Sequence, residues 1–369
     1  MTHYTRFGAI SVAAMLTSTS VLAEGLERAT FSSNYLYEEG TFVSLSFGQV
    51  EPDFSATDGS GTFSTSESVA EDFFVTTLRF KADLSEKVSV GFLATNGTNG
   101  VDIQFFDKFD TPPGVLTAPQ GSVSATEFQV LGLYQASENV SVFGGVKYVE
   151  AEGTINLGDI IDGAFMPGTD GVADQFDTES DSGFGYIIGA AYEIPEIALR
   201  VALSYESEID LTLPTTLNGV DVGDSDASIG DAVQLEFQTG VAENTLVFGK
   251  IRYAMWDDNQ VVIPVAGQVS TFEDSTSYSL GVARRFSESF AASVSAFYEP
   301  GDGDGASPLA PQGETKSLSL GGRYTFQSGI SLSGGVSYSW RGDATTDPGG
   351  YILDDSSVTS YGISISKNF

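Results

Sequence analysis

The chain has 369 residues, of which 50 are acidic and 16 are basic, and its net charge is −34. It has no cysteine, and its one histidine is His3. Disulfides, zinc sites built from histidine and cysteine, and haem or iron–sulfur centres with their usual ligands are therefore excluded. Nucleic acid is not expected as a partner, because phosphate binding needs clustered lysine and arginine.

Residues 1–23 have the features of a secretory signal peptide. A short polar start that includes His3 is followed by an apolar run from Phe7 to Leu16 and by small residues up to Ala23. The run is shorter than the ~20 apolar residues that a membrane-spanning helix needs. A cleaved leader is therefore predicted, and its removal takes away the only histidine, which excludes a histidine-based catalytic triad.

Residues 24–40 follow the leader and precede the first alternating segment. They are too apolar for a free tail in the periplasm. We therefore predict that they fold back as a short plug, with residues 41–369 as the domain that encloses it. The plug residues are Leu26, Phe31, Tyr35, Leu36, Tyr37, Glu38 and Glu39. A disordered tail is the alternative.

Nearly every segment after Gly40 alternates apolar and polar residues, which is the period of a β-strand. Between Ile330 and Trp340, for example, large apolar residues share one face and serines the other. Most segments have about 10–15 residues, enough to cross a bilayer at a tilt. The pattern predicts about 14 strands, near residues 41–52, 71–81, 87–95, 122–136, 140–150, 183–193, 197–210, 231–241, 245–256, 275–285, 289–299, 314–326, 330–340 and 356–369.

The predicted connections alternate in length without exception. Short turns of about three to five residues alternate with loops of about 14 to 32, the rhythm of an outer-membrane barrel with periplasmic turns and extracellular loops. The longest loops lie near 96–121, 151–182 and 211–230. The predicted fold is therefore all-β: a transmembrane antiparallel β-barrel of about 14 strands with a short N-terminal plug in its lumen.

Acidic residues crowd the long loops, as at Asp170, Asp174 and Asp177. Solvated extracellular loops explain this most simply, and the alternative is binding of divalent cations that bridge to lipopolysaccharide of the outer membrane. Residues 301–305 read Gly-Asp-Gly-Asp-Gly but lack the full spacing and the terminal glutamate of a calcium loop. No metal site is assigned.

Phe369 ends the last predicted strand, in which Tyr361, Ile363 and Ile365 share one face. A terminal aromatic residue that closes an alternating strand resembles the signal that the barrel-assembly machinery reads. That machinery is therefore an expected partner.

Charged residues of the strands fall on the less apolar face, because lysine or arginine facing lipid costs ~2–4 kcal/mol at the bilayer midplane. Each basic residue could form a salt bridge with a nearby carboxylate or anchor a ligand carboxylate, and the sequence leaves both open. The basic candidates for the lumen are Arg79, Lys81, Lys147, Arg200, Lys250, Arg252 and Arg323, and the acidic ones are Glu127, Glu206 and Glu236.

Several stretches, in this order, resemble the outer-membrane long-chain fatty acid and aromatic hydrocarbon transporters of the FadL/TodX family. They are residues 37–48 (YEEGTFVSLSFG), 183–186 (GFGY), 190–193 (AAYE), 202–207 (ALSYES), 249–257 (GKIRYAMWD), 307–311 (SPLAP) and 320–324 (LGGRY). Each motif is modest alone, but their order is specific, and the likeness spans most of the chain after the leader.

The resemblance implies a 14-stranded barrel with a luminal plug and passive uptake of hydrophobic molecules. It also implies release through a lateral opening where the third strand kinks inward, for which Gly97 and Gly100 are the candidates. An ordinary loop start is the alternative at these glycines. Residues 24–40 are shorter than the family's usual plug and lack its Asn-Pro-Ala motif.

Passive transport of hydrophobic compounds, foremost long-chain fatty acids, is the function that the sequence favours. A general porin for small hydrophilic solutes is the alternative. The chain has no Walker-type loop and no Gly-x-Ser-x-Gly elbow. Neither an enzyme nor a cofactor is therefore expected, and transport is expected to run downhill.

Overall fold

The computed structural model describes residues 25–105, 120–157, 174–301, 303–311, 313–347 and 349–369. The predicted leader, residues 1–23, lies outside this part of the chain. Within the described ranges, no helix is long and apolar enough to cross a membrane. Two short 3-10 helices are present there, Ser33–Tyr37 and Pro195–Ile197.

Fourteen antiparallel strands form one closed ring, which confirms the predicted barrel. Each strand pairs with the next along the chain, and β14 returns to β1 with a register that runs from Phe42↔Asn368 to Thr57↔Ile352. The strands are β1 Phe42–Thr57, β2 Phe73–Asp83, β3 Val88–Thr95, β4 Gln120–Gln135, β5 Val140–Asn156, β6 Asp181–Ile194, β7 Leu199–Glu206, β8 Ala232–Ala242, β9 Thr245–Ala254, β10 Ser275–Arg285, β11 Phe290–Glu299, β12 Thr315–Thr325, β13 Ile330–Arg341 and β14 Ile352–Asn368.

Alternation along each strand sorts side chains to the two faces of the ring. In β13, Leu332 and Trp340 are 45% and 52% exposed, whereas Ser333 and Ser339 are 1% and 3% exposed. The apolar side chains therefore cover the outer surface, and small polar side chains line the inner face of this strand. This arrangement suits a barrel whose outside contacts lipid.

The long connections carry additional strands: Gly100–Gln104, Gln175–Thr178, Ile209–Leu217, Val220–Ile229, Val262–Ile263, Gly267–Gln268, Asp304–Ala306 and Ala344–Thr346. The largest addition is the hairpin of Ile209–Leu217 and Val220–Ile229, whose register runs from Ile209↔Ile229 to Leu217↔Val220. It pairs in turn with Gln175–Thr178 and, through Asp226, with Val262. Neighbouring loops are thus joined at one end of the barrel.

The sequence interpretation differed from the structure at this hairpin. It extended one strand over 197–210 and left 211–230 as a loop, but β7 ends at Glu206 and a separate strand begins at Ile209. The strand is broken at Ser207, whose hydroxyl accepts a hydrogen bond of 2.9 Å from the Tyr186 backbone N–H. Because alternation resumes at once in the hairpin, periodicity alone cannot place this boundary.

Apolar side chains on the inner side form two separate clusters. One lies at the end of the barrel that carries the long connections and includes Phe54, Phe176, Leu211 and Trp256, all at most 5% exposed. The other packs the N-terminal residues onto the inner faces of β3 to β6: Phe31, Tyr35, Leu36, Phe42, Leu93, Leu131, Leu133, Phe143 and Ile187. The interior of the barrel therefore holds two separate apolar regions.

Candidate transport pathway

The N-terminal segment, residues 25–40, is bonded to one side of the ring through β8 and β9. The Glu236 carboxylate accepts hydrogen bonds from the Ser32 hydroxyl at 2.7 Å and from the Ser33 backbone N–H at 3.0 Å. The Lys250 ammonium donates to the Thr30 hydroxyl at 2.6 Å and to the Phe31 carbonyl at 3.0 Å. The first residue of the 3-10 helix Ser33–Tyr37 is therefore bonded to a buried carboxylate.

The segment also packs against β3 to β6. Phe31, Tyr35 and Leu36 are at most 5% exposed. Gly91 of β3 makes room for them, since a Cβ at that position would lie 2.4 Å from the Leu36 side chain and 2.8 Å from the Tyr35 ring. The segment thus contacts strands on both sides of β7, from β3 to β9.

A network of four buried charges fastens the start of this segment. Arg252 donates to Glu27 at 2.5 Å and to Glu206 at 2.5 Å, and Lys147 donates to Glu206 at 3.2 Å. The charges balance, two positive and two negative, and all four residues are at most 7% exposed. Each charge in the network stabilises its neighbours, because a buried charge without a partner is strongly disfavoured.

The ring pairing is interrupted beside β3. The register between β2 and β3 ends at Thr77↔Thr95, and the chain resumes as Gly100–Gln104, which pairs with β4. Farther along, Glu71 N–H donates to the Asp102 carbonyl at 3.1 Å. Among the described residues, no backbone hydrogen bond joins 72–75 to 97–101. Backbone pairing between β2 and residues 97–101 is therefore interrupted, and this interruption of the sheet is called the gap below.

Asn96 still bonds to Thr76 of β2, but residues 98–100 pair with the N-terminal segment instead. The Thr98 carbonyl accepts from the Arg28 N–H at 2.7 Å, and the Gly100 N–H donates to the Leu26 carbonyl at 2.8 Å. Glu27 and Asn99 form an antiparallel bridge. This part of the chain is therefore drawn toward the segment that occupies the inner side of the ring.

Gly97 and Gly100 are both needed in this geometry. A Cβ on Gly97 would lie 2.2 Å from the Val75 Cγ1 atom. Gly100 has φ +144°, and a Cβ there would lie 2.7 Å from the Val123 carbonyl oxygen and 3.1 Å from an Arg28 guanidinium nitrogen. The close approach of β2 and the N-terminal segment leaves no space for side chains at either position.

Arg28 was not singled out from the sequence, yet it lies at this gap. It is 8% exposed, and its guanidinium carbon lies 4.0 Å from the centre of the Phe73 ring. Burial lowers the pKa of Arg28 to about 10, and the Asp102 carboxylate opposes that shift. Its sequence signal is that Arg28 is the one basic residue in the stretch 24–40.

An almost wholly apolar cavity adjoins the gap at the end of the barrel that carries the long connections. Leu26 and Asn99 line it on the side of the gap, and Phe176, Leu211 and Ile263 are among the side chains that complete it. The hairpin Ile209–Leu217 with Val220–Ile229 supplies much of its wall. A nonpolar molecule, or the hydrocarbon chain of a longer one, would fit its lining, because apolar side chains predominate there.

Residues 34–243 match the family described as outer membrane protein transport protein (OMPP1/FadL/TodX). The match covers more than half of the chain. The chain belongs to this family. It is therefore an outer-membrane protein of a transport family. A search of curated proteins finds no match to it.

Solved structures of low sequence identity share the fold of this family member. A Pseudomonas aeruginosa FadL homologue gives a TM-score of 0.72 at 11% identity, over 91% of this chain and 92% of that chain. The Pseudomonas putida toluene transporter TodX gives 0.66 at 17% identity, over 96% and 98%. The CymD monoaromatic hydrocarbon channel gives 0.60 at 14% identity, over 90% and 89%.

In this family member, four of the seven candidate basic residues contact the N-terminal segment. Besides Lys250 and Arg252, Lys81 donates to the Glu38 carbonyl at 2.5 Å and also pairs with Asp83. Arg200 donates to Asn34, and its guanidinium lies 4.2 Å from the centre of the Tyr37 ring.

The other three candidates differ from one another. Lys147 pairs with Glu206, and Arg323 donates to the Ser331 hydroxyl at 3.0 Å. Arg79 borders a chamber between the N-terminal segment and β1 to β4. Alternation along the strands therefore predicted correctly that these residues lie on the inner face. It did not predict which of them bond to other residues.

Two chambers flank the N-terminal segment and share the lining residues Thr30, Ser32 and Asn34. The chamber near β10 to β14 is lined by serines, namely Ser277, Ser279, Ser293, Ser295, Ser319, Ser337 and Ser360. The chamber near β1 to β4 has a mixed lining, in which Phe42 and Leu93 lie beside polar residues such as Thr77 and Glu38. The N-terminal segment thus lies between two chambers that both carry polar groups.

Proposed function

We propose that this protein passively transports hydrophobic compounds, foremost long-chain fatty acids, across the outer membrane. The observation that carries the proposal is the position of the apolar cavity, which adjoins the gap between β2 and the segment 97–101. Leu26 and Asn99 line the cavity on the side of the gap, so a molecule that crosses the cavity from outside would reach them next to the interrupted part of the wall. Release through that gap would deliver it sideways into the membrane.

The energetics support capture by apolar contact. Burying a methylene group gains ~0.8 kcal/mol, so a long acyl chain gains on the order of 10 kcal/mol gross before the costs of immobilising it. Aromatic hydrocarbons would gain less but fit the same lining. The printed descriptions of TodX and CymD, a toluene transporter and a monoaromatic hydrocarbon channel, are consistent with such cargo.

In this proposal the N-terminal segment is the plug. Its contacts with β8 and β9 on one side and with β3 to β6 on the other support that role, as do its pairing with 96–100 and the buried network around Arg252. Movement of the segment would alter the gap directly, because the Leu26 and Arg28 backbones bond to Gly100 and Thr98.

A reversible crosslink across the gap tests lateral release. The position of a Cβ on Gly97 lies 3.0 Å from the Val75 Cβ, about 0.5 Å below the range of Cβ–Cβ separations in disulfides, so a small outward shift suffices. Replacing Val75 also removes the two methyl groups that crowd Gly97. The chain has no cysteine of its own. We expect the double variant Val75→Cys, Gly97→Cys to lose uptake of radiolabelled oleate by whole cells when oxidised and to regain it on reduction.

The matched control is Thr77→Cys, Thr95→Cys. The hydroxyls of these residues lie 3.0 Å apart on strands that are already paired, so this crosslink should leave uptake unchanged. Full uptake by the oxidised Val75–Gly97 variant, with crosslinking verified by mass spectrometry, would refute release through the gap.

A general porin is the second candidate, and the serine-lined chamber favours it. Hydroxyl groups along β10 to β14 would suit water and small polar solutes. The two functions predict different behaviour in planar bilayers: a porin conducts ions steadily, whereas a plugged transporter does not. Mass spectrometry of the protein purified in mild detergent also distinguishes the two functions. A copurified apolar ligand would support the transporter, and its absence would favour the porin.

A further inference from the structure

The end of the barrel that carries the long connections is strongly acidic, and it is called the acidic end below. Its seven long connections hold more than half of the 50 acidic residues of the chain but only one of the 16 basic residues, Lys108. These connections are residues 58–72, 96–119, 157–180, 207–231, 255–274, 300–314 and 342–351. The negative charge of the protein is therefore concentrated at one end of the molecule.

The hairpin that follows β7 shows how this charge is arranged around the apolar cavity. Asp221, Asp224 and Asp226 of the hairpin are exposed. Leu211 and Ile229 of the same hairpin are buried and line the cavity. Its two strands thus present apolar side chains to the cavity and carboxylates to the solvent.

Carboxylates at the acidic end are close enough to repel one another. Burial raises the pKa of Glu208, and the charges of Asp210, Asp231 and Asp258 raise it further. No basic side chain contributes to this shift. The negative charges in this part of the surface are therefore not neutralised by cations of the protein itself.

The apolar cavity beside these carboxylates offers no positive charge to an anion. Among the described residues that line it, Glu152 is the one that carries a charge. Arg252 and Lys147 of the inner face are paired with the carboxylates of Glu27 and Glu206. A carboxylate that entered the cavity would leave water without gaining a partner, which is costly. An uncharged molecule has no such cost.

We propose that the acidic end selects ligands by charge, so that uncharged and cationic hydrophobic compounds reach the cavity faster than anionic ones. A surface of one sign attracts ions of the opposite sign and repels those of its own, which changes association rates by about 10- to 1000-fold at low ionic strength. This selection rests on the proposed transport of hydrophobic compounds and names a charge class within it. Neutral hydrocarbons, hydrophobic amines and protonated fatty acids are favoured over free carboxylates.

Three ligands that share one brominated undecyl chain test this selection: bromoundecanoate, bromoundecanol and bromoundecylammonium. Bromine quenches indole fluorescence, and Trp256 belongs to the apolar cluster that includes Leu26 and Leu211 of the cavity lining. The other tryptophan of the chain, Trp340, is exposed on the outside of the ring and is removed by Trp340→Phe. Association rates are measured by stopped flow on the full-length protein in an uncharged detergent at about pH 8, where both the acid and the amine are ionised.

The expected result is a difference in rate that disappears with salt. At about 10 mM salt, where the Debye length is about 30 Å, bromoundecanoate should associate about tenfold more slowly than bromoundecanol, and bromoundecylammonium at least as fast as the alcohol. At about 150 mM salt, where the Debye length is about 8 Å, the three rates should agree within about threefold. Salting-out of the hydrocarbon chain does not produce this convergence, because it acts on all three ligands alike.

A triple variant of the hairpin locates the effect. Asp221→Asn, Asp224→Asn and Asp226→Asn together remove three charges beside the cavity, and an asparagine at position 221 can still accept the hydrogen bond that the Gly223 N–H donates. At low salt this variant should bind bromoundecanoate about threefold faster and bromoundecanol at an unchanged rate.

The matched control removes three charges from the other end of the barrel. Glu138→Gln, Glu243→Gln and Glu288→Gln together change exposed residues of the short turns. This variant should leave both rates unchanged. Folding of each variant is verified by its heat-dependent migration on gels.

The possible failures are distinguishable. Equal rates for the acid and the alcohol at low salt, rates that do not change with salt, or equal effects of the two triple variants would each overturn selection by the acidic end and leave apolar transport standing. If none of the three ligands quenches Trp256, the proposed transport is contradicted as well.

Discussion

At the scale of single residues, the inner face of this barrel uses most of its charges to hold the N-terminal segment. Arg252 bridges Glu27 of the segment and Glu206 of the wall, and Lys147 completes the network. Arg252 is therefore fully occupied by carboxylates of the protein itself. Of the two roles that the sequence left open for its basic residues, the salt bridge is therefore the one that the contacts of Arg252 support.

This network predicts a large effect for the loss of its central charge. Arg252→Leu leaves the carboxylates of Glu27 and Glu206 buried with one cation between them, and breaking a buried pair costs about 3–5 kcal/mol. We expect the denaturant midpoint of the barrel in urea to fall and the N-terminal segment to become sensitive to protease. Arg323→Leu, whose arginine bonds to a serine hydroxyl, should change both far less. A protease-resistant Arg252→Leu variant would contradict this assignment.

Pairing between individual residues is what the sequence could not supply. Parity along a strand places Arg200 and Lys250 on the inner face, since lipid excludes their charges. Their partners, Asn34 and Thr30, lie more than 160 residues away in the chain, in a segment with no strand period. Only the folded position of that segment determines which of the basic residues on the inner face contact it.

At the scale of elements, strand alternation predicted the ring well and its extensions poorly. The fourteen strands follow from period two alone. The hairpin beyond β7 did have a local signal: Asn218 and Gly219 form its turn with φ 49° and 80°, as expected for a two-residue hairpin turn of this dipeptide. The interruption after Thr95 depends instead on contacts of Gly97 and Gly100 that no local pattern reveals.

The connections also predict the orientation of the barrel, which labelling can test. The turn between Ala242 and Thr245 is short, whereas the hairpin around Asp221 belongs to the end with long connections. Glu243 and Asp221 are both exposed. We expect Asp221→Cys to react with a membrane-impermeant thiol reagent on intact cells and Glu243→Cys to react only after permeabilisation. The opposite pattern would invert the topology.

At the scale of the whole molecule, the architecture combines a ring that is wider than its wall side chains can fill with an internal segment that fills part of it. The segment separates a serine-lined chamber from one with a mixed lining. Its contacts are polar toward β8 and β9 and apolar toward β3 to β6. In the proposed function, these contacts hold the segment where it controls whether the lumen is open.

Deletion of residues 26–37 tests that control. The deletion removes the bonds of Ser33 and Thr30 to the wall and the apolar packing of Phe31 and Leu36. The two chambers would then merge into one passage lined by polar groups on one side, through which ions can move. We expect single-channel conductance in planar bilayers to rise and selective uptake of hydrophobic ligands to be lost. Unchanged conductance in a deletion variant shown to be folded would mean that the segment does not close the lumen, and it would favour the porin.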